Sequence, residues 1–213
     1  MPRLYIPEIS DNTDEYVLGL WKMTDSVSSL FSSHPELIAC SSSMSELKSE
    51  VKRLEYISVR ALLLDMKGIF LEIKHNESGK PFLSNGDDNI SISHTRGYAA
   101  VILSEKYNVA VDIEYISDRI CRVADRFLRA DERADSVIQK IISWCAKETL
   151  YKLHSADKLG FQDMRIVEVE TVNGVVPSSG TFYAENLKRS TRVLMSYIVT
   201  DMFVITFAVE KSN

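Results

Sequence analysis

Between residues 47 and 64 the apolar positions recur at helical spacing: Leu47, Val51, Leu54, Ile57, Val59, Ala61, Leu62 and Leu64. The pattern predicts an amphipathic helix from near Ser45 to near Met66, with Ser41-Ser42-Ser43 offering cap hydroxyls and Gly68 as its stop. Beyond it the period falls to two. Strands are predicted over 69–73, 90–93, 98–103 and 109–115, broken by the turn clusters NESGKP (76–81) and NGDD (85–88). Two helices follow, over 118–128 and 131–155, and then strands over 164–169, 181–184, 193–199 and 202–209.

Helix followed by strands therefore occurs twice, and a faint repeat accompanies it. Residues 90–105 and 195–210 align without a gap, matching Ser91 with Ser196, Thr95 with Thr200, Tyr98 with Phe203 and Glu105 with Glu210. Apolar strands resemble one another by chance, so the match is weak, but it points to an α+β chain of two similar halves, 1–105 and 106–213. Ligand sites favour such junctions.

The 213 residues are 45% hydrophobic and 26% charged, which fits a globular core and excludes a disordered tail. A net charge of -5 argues against coating nucleic acid, and no apolar run reaches the ~18 residues of a membrane-spanning helix. The opening residues lack the apolar stretch of a secretory leader. Cys40, Cys121 and Cys145 are odd in number and show no C-x-x-C spacing, so a reduced, cytoplasmic setting is expected.

Three places carry candidate chemistry. In Val109-Ala110-Val111-Asp112-Ile113-Glu114, a strand puts Asp112 and Glu114 on one face, roughly 6–7 Å apart, with Val111 and Ile113 anchoring the other. Adjacent carboxylates repel and titrate upward unless a cation compensates, and Mg²⁺ suits such oxygen donors. An edge strand with a solvated acidic face reads equally well from these six residues. Along the predicted 131–155 helix, Trp144, Glu148 and Lys152 stand at i, i+4 and i+8, on one side. Glu148 and Lys152 form either a surface ion pair or a third carboxylate with a cation beside it. The third place joins Lys80, in Gly79-Lys80-Pro81, to Ser93, His94 and Thr95. Cation and hydroxyl donors of this kind suit phosphate, although each residue alone is unremarkable on a polar surface.

Taken in order, Gly79-Lys80-Pro81, Ser93-His94, the Asp112-x-Glu114 strand and Trp144-Cys145-Ala146-Lys147-Glu148-Thr149-Leu150-Tyr151-Lys152 resemble the 4'-phosphopantetheinyl transferase superfamily. Within it, the chain is similar to the long, pseudo-dimeric, surfactin-synthetase-activating type. Arg126–Glu132 is similar to the family's R-F-F-S-x-x-E segment, and Arg60-Ala61-Leu62-Leu63 to its L-x-R-x-L-L helix. Ala110 stands where the family has Gly, and Thr149 where it has Ala or Ser; the first 45 residues match nothing specific.

The resemblance implies two halves related by pseudo-two-fold symmetry in a monomeric enzyme. It also implies transfer of 4'-phosphopantetheine from coenzyme A to a serine of an apo acyl or peptidyl carrier protein, with release of 3',5'-ADP. By carry-over, Asp112, Glu114 and Glu148 hold Mg²⁺ (or Mn²⁺), and Asp112, Glu148 and Lys152 are catalytic. Lys80, Ser93, His94, Thr95 and Lys152, with Arg53 and Arg60 as weaker candidates, bind coenzyme A, and Glu132 has no assigned role. Separately, Arg119, Arg122 and Arg126 form a basic stripe on the predicted 118–128 helix. It either docks an acidic carrier or is a solvated face offset by Asp118 and Asp125. The competing functions are a silent coenzyme A-binding module and a metal-dependent phosphohydrolase acting on coenzyme A or a nucleotide.

Overall fold

Two antiparallel sheets pack face to face, each with one long helix on its outer side. In this computed structural model the described residues are 3–5, by backbone alone, and 15–211. The first half contains β1 (Arg3–Tyr5), β2 (Val17–Lys22), the short helices α1 (Val27–Ser33) and α2 (Ser41–Ser45), and α3 (Glu50–Lys67). A small hairpin, β3 (Ile73–His75) and β4 (Pro81–Leu83), then leads into β5 (Asn89–Thr95) and β6 (Tyr98–Ser104). From β7 (Tyr107–Tyr115) the chain passes through α4 (Ala124–Phe127) and α5 (Val137–Leu153) to β8 (Met164–Ile166), β9 (Ser179–Asn186), β10 (Thr191–Val199) and β11 (Phe203–Lys211). One sheet has the order β1-β2-β6-β5 and the other β7-β11-β10-β9-β8, so the chain changes sheets between Ser104 and Tyr107. The fold is α+β, and among the described residues no helix is long and apolar enough to cross a membrane.

The layering follows from strand alternation. On β6, Ala99, Val101 and Leu103 turn to α3, whereas Ala100 and Ile102 turn inward to the second sheet. On β7, Val109, Val111 and Ile113 join that inward core with Phe203, Ile205 and Phe207 of β11, while Ala110 turns to α5. Asp112 and Glu114 share the parity of Ala110 and therefore face α5 as well. The outer helix of the first half sits close: a Cβ on Gly19 would lie 2.5 Å from the Met66 sulfur, which is why β2 has no side chain there.

Several predicted boundaries move. Helix α3 stops at Gly68, in the left-handed conformation (φ 71°), as expected, but it begins at Glu50. The serines at 41–43 lie inside α2 instead of capping α3. The strand expected over 69–73 starts only at Ile73 and runs to His75, because its partner β4 is three residues long. The predicted 118–128 helix is a 3-10 turn (Asp118–Arg122) followed by the four-residue α4. There the Phe127 carbonyl accepts from Lys147 Nζ, which occupies an acceptor that a continuing helix would need. Likewise α5 starts at Val137, not 131, because Ser136 and Gln139 close a capping box at that point. The opening residues before 15, read above for a secretory leader, lie, β1 apart, outside the described residues.

Candidate active site

The face shared by β7 and α5 collects the charged residues. Lys152 Nζ donates to Asp112 Oδ1 at 2.8 Å and to the Val111 carbonyl at 3.0 Å. Two turns earlier on α5, Trp144 Nε1 donates to Glu114 Oε1 at 3.2 Å. The Glu148 side chain, midway between them, makes no hydrogen bond to a described residue, yet the charges of Asp112 and Lys152 both act on it. β7 is an edge strand, but its acidic face is not a solvated one, since Asp112 is only 5% exposed and Glu114 is half-buried.

A second strand reaches the same carboxylates. Alternation on β5 sends Ser91, Ser93 and Thr95 toward β7, and their hydroxyl oxygens accept from the backbone amides of Val111, Ile113 and Tyr115 at 3.2, 3.4 and 3.1 Å. Ser93 Oγ also donates to Asp112 Oδ1 at 2.8 Å, and Thr95 Oγ1 to Glu114 Oε2 at 3.2 Å. The edges of the two sheets are thus joined by side-chain hydroxyls in place of a backbone ladder. The same hydroxyls hold the carboxylates.

Burial and the negative charge of Asp112 push the carboxyls of both Glu114 and Glu148 above their ordinary range, against the opposing pull of Lys152. Three carboxylates thus face one ammonium, and Asp112 Oδ2 is buried without a hydrogen-bond partner. Oxygen donors in excess negative charge suit a hard divalent cation in kind. Among the described residues, however, no group of three His, Cys, Asp or Glu side chains stands arranged to hold a metal. Asp112 Oδ1 and both oxygens of Glu114 are engaged by protein donors instead.

Beside this cluster a cleft of about 580 Å³ opens between the halves. Its walls come from α3 (Tyr56, Val59, Arg60), the 76–81 turn, β5, and Tyr151 with Lys152 on α5. Lys52, Arg60, Lys80 and Lys152 line it against one acidic residue, Glu55, on a protein of net charge -5. Lys80 Nζ donates to Asn108 Oδ1 at 2.9 Å, and burial lowers its ammonium pKa. His94 is exposed in the cleft with Nδ1 3.7 Å from Glu55 Oε1. Arg60 stacks its guanidinium 3.3 Å from the centre of the Tyr56 ring and donates to the Tyr56 carbonyl.

Not every expected residue reaches this cleft. Thr95 turns to Glu114, and Arg53 lines a separate hollow with Val27, Phe31 and Met44, donating Nε to the Leu47 carbonyl. Ser93 borders the cleft but gives its hydroxyl proton to Asp112. Arg119, Arg122 and Arg126 are exposed on the 3-10 turn and α4, a few residues beyond Glu114.

Sequence reasoning missed Tyr56, Asn108 and Tyr151. Tyr56 precedes Arg60 by four residues on one helix, a spacing that could have revealed the stacked pair. Tyr151 lies three residues beyond Glu148, near the same side of α5. Asn108 had no signal, because its role in tethering Lys80 depends on the second sheet edge lying beside the first.

No individual curated protein matches the chain. Residues 108–208, the segment that carries Asp112, Glu114, Glu148 and Lys152, match the family model of the 4'-phosphopantetheinyl transferase superfamily, to which the second half of this chain is therefore similar.

Proposed function

We propose that this protein transfers 4'-phosphopantetheine from coenzyme A to a serine hydroxyl of an apo acyl or peptidyl carrier protein. The observation that carries the reading is a cation-lined cleft beside a carboxylate cluster, with the cluster inside the segment that matches the transferase superfamily. Coenzyme A is a polyanion, and Arg60, Lys80, His94 and Lys152 supply donors for its phosphates. In the reaction the serine oxygen bonds to the phosphorus that bears pantetheine. The bond from that phosphorus to the bridging oxygen breaks, and 3',5'-ADP leaves with the electron pair. Glu148, without a hydrogen bond and with a raised affinity for a proton, accepts the serine proton directly or through water. Lys152 stands at the cleft wall to offset the charge of the pyrophosphate or to protonate the leaving group. Although Asp112, Glu114 and Glu148 do not stand arranged around a metal, Asp112 Oδ2 and the Glu148 carboxylate carry no hydrogen bond to a described residue, so these three would be the groups to hold Mg²⁺ or Mn²⁺, which when bound would neutralise pyrophosphate charge.

Chain topology supports the long, pseudo-two-fold type. Both β2–α3–β5–β6 and β7–α5–β10–β11 run strand, helix, hairpin, and their sheets share the order first strand, last strand, middle strand. Halves bounded at 105 and 106, working together as a monomer, belong to the same proposal. So does a carrier-docking role for the exposed Arg119, Arg122 and Arg126: R122E/R126E should weaken carrier affinity at low salt, and unchanged affinity would count against docking there.

Intact-mass spectrometry of several apo carriers incubated with the protein, coenzyme A and Mg²⁺ tests the central reading. One added phosphopantetheine, dependent on metal and lost in Glu148→Gln, is expected. Coenzyme A binding with no gain on any carrier would favour a silent binding module. Coenzyme A consumption without carrier gain would favour a phosphohydrolase.

A further inference from the structure

Lys147 is fully buried and does not line the cleft, so the proposed chemistry leaves it without a task. Its ammonium donates to Glu132 Oε2 at 2.8 Å, to the Phe127 carbonyl at 2.6 Å and to the Phe161 carbonyl at 3.3 Å. Glu132 is equally engaged: Oε2 accepts from the Arg129 amide at 2.7 Å and Oε1 from the Ile166 amide at 2.6 Å. An ion pair with side chains 0% and 1% exposed is a weak stabiliser, because desolvation cancels much of the attraction. What it does here is geometric. It pins two separate backbone segments onto α5 at the residues whose rings enclose Trp144.

Those rings are specific in their contacts. Trp144 meets Phe127 edge to face at 5.2 Å between centroids and Phe161 at 5.3 Å with a 40° tilt, and the two phenyl rings are 6.3 Å apart. Held in that box, the indole has one polar atom, and it donates to Glu114 Oε1. A tryptophan free to rotate would release Oε1 and leave this carboxylate held by Thr95 Oγ1 alone, able to pivot about that bond.

We propose that Lys147 and Glu132 are a positioning pair that fixes Phe127 and Phe161 around Trp144 and through its indole N–H aims Glu114 at the site. The proposal rests on the transferase reading only for its effect on metal use; its structural half stands on the protein alone. Lys147, three residues after Trp144 on the same helix, reaches the backbone of both rings at once, a reach that a purely apolar residue lacks.

The test uses the two indole N–H resonances of the full chain, assigned with W144F, in ¹⁵N-labelled protein without ligands. E132Q keeps the volume and removes the charge; K147M/E132L removes the pair and leaves no unpaired buried charge. In variants that keep the wild-type circular dichroism, the Trp144 resonance should move and exchange with solvent at least about tenfold faster, with Trp21 unmoved. F161L, which leaves the ion pair intact, should displace the same resonance from the other side. Where transfer is measured, the Mg²⁺ concentration giving half-maximal rate should rise about tenfold, as for lost support of a metal ligand, with KM for coenzyme A within about twofold. A folded E132Q or F161L protein with an unmoved, still protected Trp144 resonance overturns the proposal, and a displaced resonance with unchanged metal requirement overturns the part that aims Glu114 through the indole. If wild-type protein modifies no carrier, the transferase reading fails, and the resonance still decides whether the pair positions Trp144.

Discussion

Glu148 shows how a single side chain can be costly to the fold and useful to the chemistry. Its carboxyl is held above the ordinary range first by burial and then by the charge of Asp112. Because the folded-state value exceeds the unfolded one, its contribution to stability is full below the ordinary carboxylate pKa and is lost as pH rises through the raised value. Near neutral pH the ionised side chain therefore works against the fold. Glu148→Gln should make the protein more stable relative to wild type at pH 7 than at pH 4, by thermal melts at both values, while transfer falls at least about a hundredfold. A variant with an equal offset at both pH values would show that the carboxylate is not strained. The same repulsion should make Mg²⁺ raise the wild-type melting temperature near neutral pH, and raise it less in Glu148→Gln. That Asp112 and Glu114 share one face of a strand and Glu148 and Lys152 one side of a helix was legible from the two periods; that the two faces meet was implied only by the family resemblance. The Lys147–Glu132 contact was not, since both residues fall in the predicted 131–155 helix, which would hold them turns apart, whereas α5 starts only at Val137 and leaves Glu132 free to fold back onto it.

Elements were legible where one local signal governs them and illegible where a distant partner does. Gly68 stops α3 because it takes a left-handed conformation, and the alternation of β7 tells its core face from its acidic face. The hydroxyls of β5 show the opposite case. Read locally, Ser93 and Thr95 are phosphate donors; placed beside β7, they close a seam between sheets and hold two carboxylates. That double duty makes a sharp prediction. Ser93→Ala strips the Ile113 amide and Asp112 of a partner each in a buried setting, and should cost about 1–3 kcal/mol in chemical denaturation. Thr95→Val should behave similarly, while Thr95→Ser, which keeps the hydroxyl, should recover most of the loss. If valine and serine at position 95 cost the same, the seam draws its strength from packing and not from these hydrogen bonds.

At the scale of the molecule, the two halves are not independent bodies brought together by a ligand. Their shared core draws Leu18, Leu20, Ala100 and Ile102 from the first sheet and Val109, Val111, Ile113, Phe203, Ile205 and Phe207 from the second. The cleft needs both as well, since Arg60 and Lys80 come from one half and Tyr151 and Lys152 from the other. Cut at the turn after Ser104, residues 107–211 would keep α5 on one face of their sheet and leave six large apolar side chains on the other with nothing to cover them. A sheet with one face bare exposes more apolar surface than a soluble domain sustains. The isolated half, although it contains every carboxylate of the site, should therefore lack a fixed core: little near-ultraviolet circular dichroism, strong binding of a hydrophobic dye, and no coenzyme A affinity. Co-expression with residues 1–105 should restore all three properties at once, because the inward face and the cleft wall return together. A sharp, cooperative melt from 107–211 alone would mean that the second sheet buries its inner face without the first, and that the first half supplies cations to the site but little of the fold.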